Sequence, residues 1–218
     1  MATEKHSINK IQPPALPVTP VSPVQQYMEE LSNILRLFFF RVTNNLNLLT
    51  GKNGGRFVEA PNGLFFDDAD QPLATVNVAQ PVRFNQTYLD NAMLVNGGTT
   101  SEITMVYSGI YNFQFSAILR SSSASSKIAY IWIARNGINI GYSAREYVIA
   151  GATGVLEVNW SFNIDVQGGQ YIQIFWTGDT LNLSLDAVAP TSIHPGIASA
   201  AMAVSFVSTL PDVLPTPP

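Results

Sequence analysis

The sequence predicts an all-β protein: an antiparallel jelly-roll sandwich preceded by one long N-terminal α-helix. Three observations carry that expectation. Residues 109–119 read Gly-Ile-Tyr-Asn-Phe-Gln-Phe-Ser-Ala-Ile-Leu, an almost strict alternation of apolar and polar side chains. Residues 156–166 repeat it, with Leu156, Val158, Trp160, Phe162, Ile164 and Val166 on one side. Side chains alternate faces along a strand, so each run buries one face and wets the other. Third, many short apolar runs follow at regular spacing, separated by turn residues, as in a sandwich or jelly roll.

The elements follow in order. Residues 1–22 form a polar arm in which Pro13, Pro14, Pro17 and Pro20 forbid a helix and favour extended chain. Ser22-Pro23-Val24-Gln25 is a capping-box pattern with proline at the first helical position. Gly51 terminates the helix, giving a stem over residues 23–50. Met28, Leu35, Val42 and Leu49 recur every seven residues, with Val24, Leu31, Phe38 and Asn45 interleaved. That is a heptad seam, along a rod of roughly 40 Å. Leu37, Phe39, Phe40 and Leu46 widen the apolar surface beyond the seam, which suggests a helical bundle that also docks elsewhere. Asn45 is the expected register device, since a buried amide is best satisfied by its symmetry mates.

The jelly-roll domain is expected over 51–209, with a proline-rich tail at 210–218. Its early strands are expected at Arg56–Ala60, Leu64–Asp67 and Ala74–Ala79, separated by Pro61-Asn62-Gly63, Gln71-Pro72 and Asn96-Gly97-Gly98. Further strands are expected at Ile103–Tyr107, Gly109–Leu119, Ile128–Arg135, Ile138–Ile149, Val155–Val166, Tyr171–Thr177, Leu181–Ala187 and Ser199–Ser208. Asn136-Gly137 between two apolar runs is the strongest hairpin signal. In the strand at 171, Tyr171 and Phe175 alternate with Ile172, Ile174 and Trp176, so both faces are apolar. One meets the core; the other meets a partner, or is covered by the helix or by residues 56–100.

Composition narrows the function classes. Of the 218 residues, 46 % are hydrophobic and 12 % charged, so a sizeable core accompanies a surface of amides, hydroxyls and glycine. The net charge of −4 and scattered basic residues argue against nucleic acid as a partner. There is no cysteine, hence no disulfide or thiolate chemistry. Met1–Lys10 does not read as a secretion signal. Arg36 and Arg41 inside the richest apolar stretch argue against membrane insertion.

Little in the chain points to chemistry, and neither a cofactor nor a metal is expected. The two histidines, His6 and His194, lack the grouping that a triad or zinc site needs. Asp67, Asp68 and Asp70 form the densest acidic cluster, without a calcium-loop pattern, and read as a solvated turn. Glu157 and Asp165 share the polar side of one strand and are the remaining candidates for a glycosidase pair. Gly168-Gly169 lacks the lysine and helix of a phosphate loop.

Four segments carry a resemblance. Gly109-Ile-Tyr-Asn-Phe resembles the Gly-x-Tyr-x-Phe strand of the tumour necrosis factor and complement globular-head jelly rolls. Ile133-Ala-Arg-Asn-Gly-Ile resembles the hairpin that follows it there, and Pro195 to Val204 resembles their closing strand. Val166-Gln-Gly-Gly-Gln-Tyr resembles the turn in which those domains usually carry aspartate where Gln170 stands. The resemblance implies a homotrimer, with Tyr171 and Phe175 facing its axis. Tyr27 to Leu49 is similar to stem segments of tailed-bacteriophage virion proteins. Together these imply a non-enzymatic virion protein: a homotrimeric decoration or cement protein on the outside of a phage head, partnered by the major capsid protein. The alternative is a receptor-binding fibre or knob that recognises a host surface polysaccharide. In either case Met28, Leu31, Leu35, Phe38, Val42, Asn45 and Leu49 form the trimer or docking seam.

Overall fold

The computed structural model describes residues 23–50, 60–151 and 154–210, with helix side chains from 28 to 47. The chain forms two compact units: 1–60 together with 208–218, and Pro61–Val207. The described part of the first unit is chiefly helix α1, Pro23–Thr50. The expected cap at Ser22, the arm 1–22, the strand at 56–60 (apart from Ala60) and the tail from 211 lie outside the described residues.

The second unit is the sandwich. Its strands are β1 (Asn62–Asp67), β2 (Gln71–Pro72), β3 (Gln80–Pro81), β4 (Gln86–Asn91), β5 (Met93–Val95), β6 (Ile103–Met105) and β7 (Gly109–Ser121). They continue with β8 (Lys127–Arg135), β9 (Ile138–Asn139), β10 (Arg145–Ile149), β11 (Val155–Val166), β12 (Tyr171–Gly178), β13 (Leu183–Leu185) and β14 (Ala200–Ser208). The first sheet has the order β2-β13-β7-β14-β1-β4, with β11 on the other flank of β7. The second has the order β10-β8-β12-β6-β5, with β3 beside β12 and β9 beside β8. Neighbouring strands such as β1 and β14, β7 and β11, and β8 and β12 pair antiparallel. The chain crosses between sheets after β2, β3, β4, β6, β7, β10, β11 and β12, as a jelly roll requires.

The two alternating runs form the longest ladder. β7 and β11 pair from Gly109↔Val166 to Arg120↔Val155. Their inward rows place Tyr111, Phe113, Phe115, Val158 and Val166 in the core, opposite Ile131, Ile174 and Trp176 of the second sheet. Phe113 stacks on Phe162 with centroids 5.3 Å apart, adding directional contact to burial. Among the described residues β11 pairs only with β7, so the sandwich opens along that flank and Trp160 and Phe162 are only half-buried. Arg145 of β10 lies over the Trp160 ring at 5.9 Å.

Asn136 and Gly137 make a two-residue turn with φ of 49° and 75°, and Arg135 pairs with Ile138. Primed-turn geometry of this kind matches the strand twist.

Three strand expectations fail for local reasons. Ala74–Ala79 is an exposed loop turning at Asn77, whose φ is 57°. The run Ile138–Ile149 is two strands broken around Gly141 and Tyr142, the latter with φ of 60°. Leu181–Ala187 contracts to Leu183–Leu185. β4 was not expected, because its residues are nearly all exposed and carry no alternation.

The chain enters and leaves the sandwich side by side. Asn62 pairs with Ser205, and Phe206 N–H donates to the Pro61 carbonyl at 2.9 Å. The excursion 189–198, closed by Val188↔Ile197, lies at the far end of β1, where Ser199 N–H donates to Asp67 O.

Candidate interaction surfaces

Helix α1 places the expected seam on one stripe, because residues seven apart return to the same side. Met28, Leu31, Leu35, Phe38 and Val42 are exposed in the single chain, Phe38 at 59 %. Asn45 is exposed as well, and the Leu49 side chain lies outside the described residues. Ile34, Leu37, Phe39 and Phe40 are exposed too, Ile34 at 62 %. Successive residues rotate by about 100°, so the apolar surface encircles the rod over 34–40. A helix apolar all round is normally buried in a larger core or a membrane. No helix among the described residues is long and apolar enough to cross a membrane.

The outer face of the first sheet forms a second surface. β1, β7 and β14, beside β11, put Leu64, Ser116, Ala201 and Ala203 outward and half-buried. With Gln114, Asn159 and Ser161 they line a trough of about 470 Å³. A hollow of about 560 Å³ adjoins it along Ile118, Val155 and Ile197. The trough exists because β14 is alanine-rich where its neighbours carry larger groups. Its polar flank is cross-linked: Asn112 Nδ2 donates to Asn163 Oδ1 at 2.9 Å, and Gln114 Nε2 donates to Asn112 Oδ1 at 3.2 Å. On these four strands the outward charged side chains are Arg120, Glu157 and Asp165. Two of the three are paired, Arg120 with Asp186 and Asp165 with Arg135.

Tyr171 and Phe175 sit on the outer face of the second sheet, both half-buried, while Ile172, Ile174 and Trp176 enter the core. Much of the cover of Phe175 comes from the same chain. Phe175 stacks on Trp132 with centroids 6.0 Å apart and pairs with Pro81 of β3. Trp132 Nε1–H donates to Asn139 Oδ1 at 2.8 Å. Between them Gln173 is buried and donates to Ser101 Oγ. The strand is therefore apolar on both faces for a largely intrachain reason.

The candidate chemical groups separate. Glu157 and Asp165 are eight residues apart on one strand, about 27 Å at strand rise. A glycosidase pair lies within about 5–9.5 Å, so these two do not form one. His194 Nδ1–H donates to the Pro195 carbonyl at 2.8 Å, and its backbone N–H is held by Thr191 Oγ1. It is a loop-shaping residue.

The acidic cluster differs from the expected solvated turn. Asp67 is buried, and its Oδ1 accepts the Ala69 N–H. Its Oδ2 lies 3.9 Å from Arg83 Nε and receives no hydrogen bond. Burial pushes its carboxyl above the usual value, against the weaker pull of the Ala69 N–H and Arg83. Asp68 accepts from Asn85 and Gln86, and Asp70 accepts the Ala187 N–H. Buried Gln71 ties the Arg83 backbone to Ser199. The cluster is a structural knot joining β1, β2 and the start of β14. No group of three or more acidic or histidine side chains suited to a metal occurs among the described residues.

Fold and surfaces together define the class: an antiparallel jelly-roll sandwich with one N-terminal helix, and surfaces suited to packing. Among solved structures the chain is similar to the globular domain of zebrafish complement 1qA protein. The alignment has a TM-score of 0.42 and 14 % identity, covering 70 % of this chain and 100 % of that one. No family model matches the sequence. No curated protein matches it either.

Proposed function

We propose that the protein is a non-enzymatic, homotrimeric structural protein in which helix α1 supplies the assembly or docking stem and the sandwich is the presented head. The observation that carries this reading is the apolar girdle at 34–40, exposed in the single chain. Each large side chain left in water there forgoes about 1.5–3 kcal/mol. Self-association or docking recovers that energy. We place the head-to-head contact on the trough face of the first sheet, in preference to Tyr171 and Phe175. The trough face carries little unpaired charge, whereas Phe175 already finds partners within its own chain.

The finer proposal is a decoration or cement protein on the outside of a tailed-phage head, supported by the resemblance of residues 27–49 to virion stems. Threefold symmetry suits the threefold positions of an icosahedral shell, and three weak attachments combine through effective concentration. Light scattering of the full chain is expected to give three times the chain mass. Immunogold labelling of purified virions is expected to decorate capsid faces. A monomer mass overturns the trimer; particles without label overturn the virion role. Tyr142 and Ile193 stand fully out on loops, which favours a second reading as a host-glycan-binding fibre or knob. Label confined to fibre or tail tips would select it.

A further inference from the structure

We propose that Asn96 is a self-modifying site, converting spontaneously to aspartate and isoaspartate and thereby loosening the loop between β5 and β6. The inference is independent of the function proposed above. It starts from three Asn-Gly pairs within the described sandwich, at 62–63, 96–97 and 136–137. The chemistry is the same in each. The backbone nitrogen of the glycine attacks the asparagine Cγ, a C–N bond forms, and the Cγ–Nδ2 bond breaks. Ammonia leaves with the proton from the glycine nitrogen, and a five-membered succinimide remains. Solvent water then opens either carbonyl of that ring, giving aspartate or isoaspartate. No oxidant or enzyme enters the balance. Glycine favours the attack because it has no side chain to obstruct it and broad backbone freedom.

The surroundings separate the three pairs. Asn62 lies in a strand paired on both sides, with Ser205 and with Asn91. Rotating its backbone toward cyclisation would break two ladders. Asn136 is fixed in the primed turn, and its Oδ1 accepts the Tyr171 N–H at 3.0 Å. Asn96 is exposed together with Gly97, Gly98 and Thr99. A Cβ placed on Gly97 would meet nothing within 4 Å, so the side-chain side of that glycine is open. The Asn96 side chain is held by two exposed bonds, from Gly98 N–H at 3.1 Å and to Glu102 Oε2 at 3.2 Å. Exposed bonds of this kind open readily to solvent.

The product reverses a contact. Asn96 Nδ2 now donates to the Glu102 carboxylate; after conversion two carboxylates face each other, and like charges at that range repel. The loop depends on this residue. The Asn96 carbonyl accepts the N–H groups of Thr99 and Thr100, and the Thr100 carbonyl holds the Phe84 N–H at 2.7 Å. Isoaspartate also inserts an extra backbone carbon at the point where these bonds converge. Conversion therefore loosens the 96–102 loop and its hold on residue 84, while the core strands stay intact.

The full chain, aged in mildly alkaline buffer at physiological temperature, is digested and mapped by mass spectrometry with isoaspartate-specific detection. The expected result is amide-to-acid conversion at Asn96 about tenfold or more faster than at Asn62 and Asn136. Gly97→Ala is expected to slow conversion at Asn96 by about the same factor and leave the other two rates unchanged. Equal rates at all three sites, or an Asn96 that outlasts Asn136, would overturn the proposal. For the structural effect, Asn96→Asp is compared with the parent by hydrogen exchange. Faster exchange at Thr99, Thr100 and Phe84, with the β7–β11 ladder unchanged, supports loosening; unchanged exchange at those three amides refutes it.

Discussion

Asp67 shows what one buried carboxylate does to stability. In the unfolded chain it titrates at its ordinary value of 3.8, and in the folded state burial raises it. The folded protein thus holds that proton more tightly than the unfolded one. By linkage its stabilising contribution is fully present below the ordinary value and is lost as pH rises through the raised one. Above the raised value the carboxylate is a buried charge, with Arg83 3.9 Å away as partial compensation. Asp67→Asn keeps an oxygen for the Ala69 N–H and removes the charge. Its melting temperature is expected to exceed the parent's at neutral pH, with the advantage shrinking in acid. Calorimetry across pH checks it, and an advantage that grows in acid would contradict the burial argument. Gly137 gives a second test. Its φ of 75° disfavours any side chain, so Gly137→Ala is expected to cost about 1–2 kcal/mol in denaturant melts.

At the scale of elements, helix α1 carries the sharpest test. Leu35→Asp with Phe38→Asp puts two charges into the exposed apolar girdle. The particle mass is expected to fall to that of one chain, while the far-ultraviolet spectrum of the sandwich persists. Unchanged mass would move the docking function off the helix. Much of this scale was legible beforehand. The helix over 23–50, the 109–119 and 156–166 alternations and the Asn136-Gly137 turn are local patterns, and local patterns survive tertiary packing. β4 was hidden because an exposed edge strand has no burial period to read. Ala74–Ala79 misled because alternating valine and polar residues describe a turn as readily once Asn77 takes positive φ. The trough face was not readable at all. Leu64, Ser116, Asn159 and Ala203 lie on four strands, and only their juxtaposition makes a surface. Tyr171 and Phe175 stood out as unusual, but the covering Trp132 and Pro81 come from distant segments.

Considered whole, the head carries its own core. Among the described residues its buried cluster runs from Phe65 to Val204. Removing residues 1–22 is therefore expected to leave the cooperative melt of the sandwich unchanged while weakening attachment to particles. Loss of the melt would place the arm inside the core. Ala203→Arg sets a long cation on the floor of the trough. It is expected to lower the particle mass without lowering the melting temperature of the sandwich by more than about 1 kcal/mol equivalent, as for a surface change. An unaltered mass would return the head contact to Tyr171 and Phe175.

The side-by-side strands at Asn62 and Ser205 give the molecule a direction. A peptide fused beyond either end of the sandwich starts from the same pole. A peptide spliced into the tip near Ile193, which is 92 % exposed, starts from the opposite one, about 20 Å away along β1. The sandwich thus has a fixed polarity for any peptide added to it. Cargo added at the ends of the sandwich and cargo grafted into the 189–198 excursion therefore project from opposite poles of the sandwich.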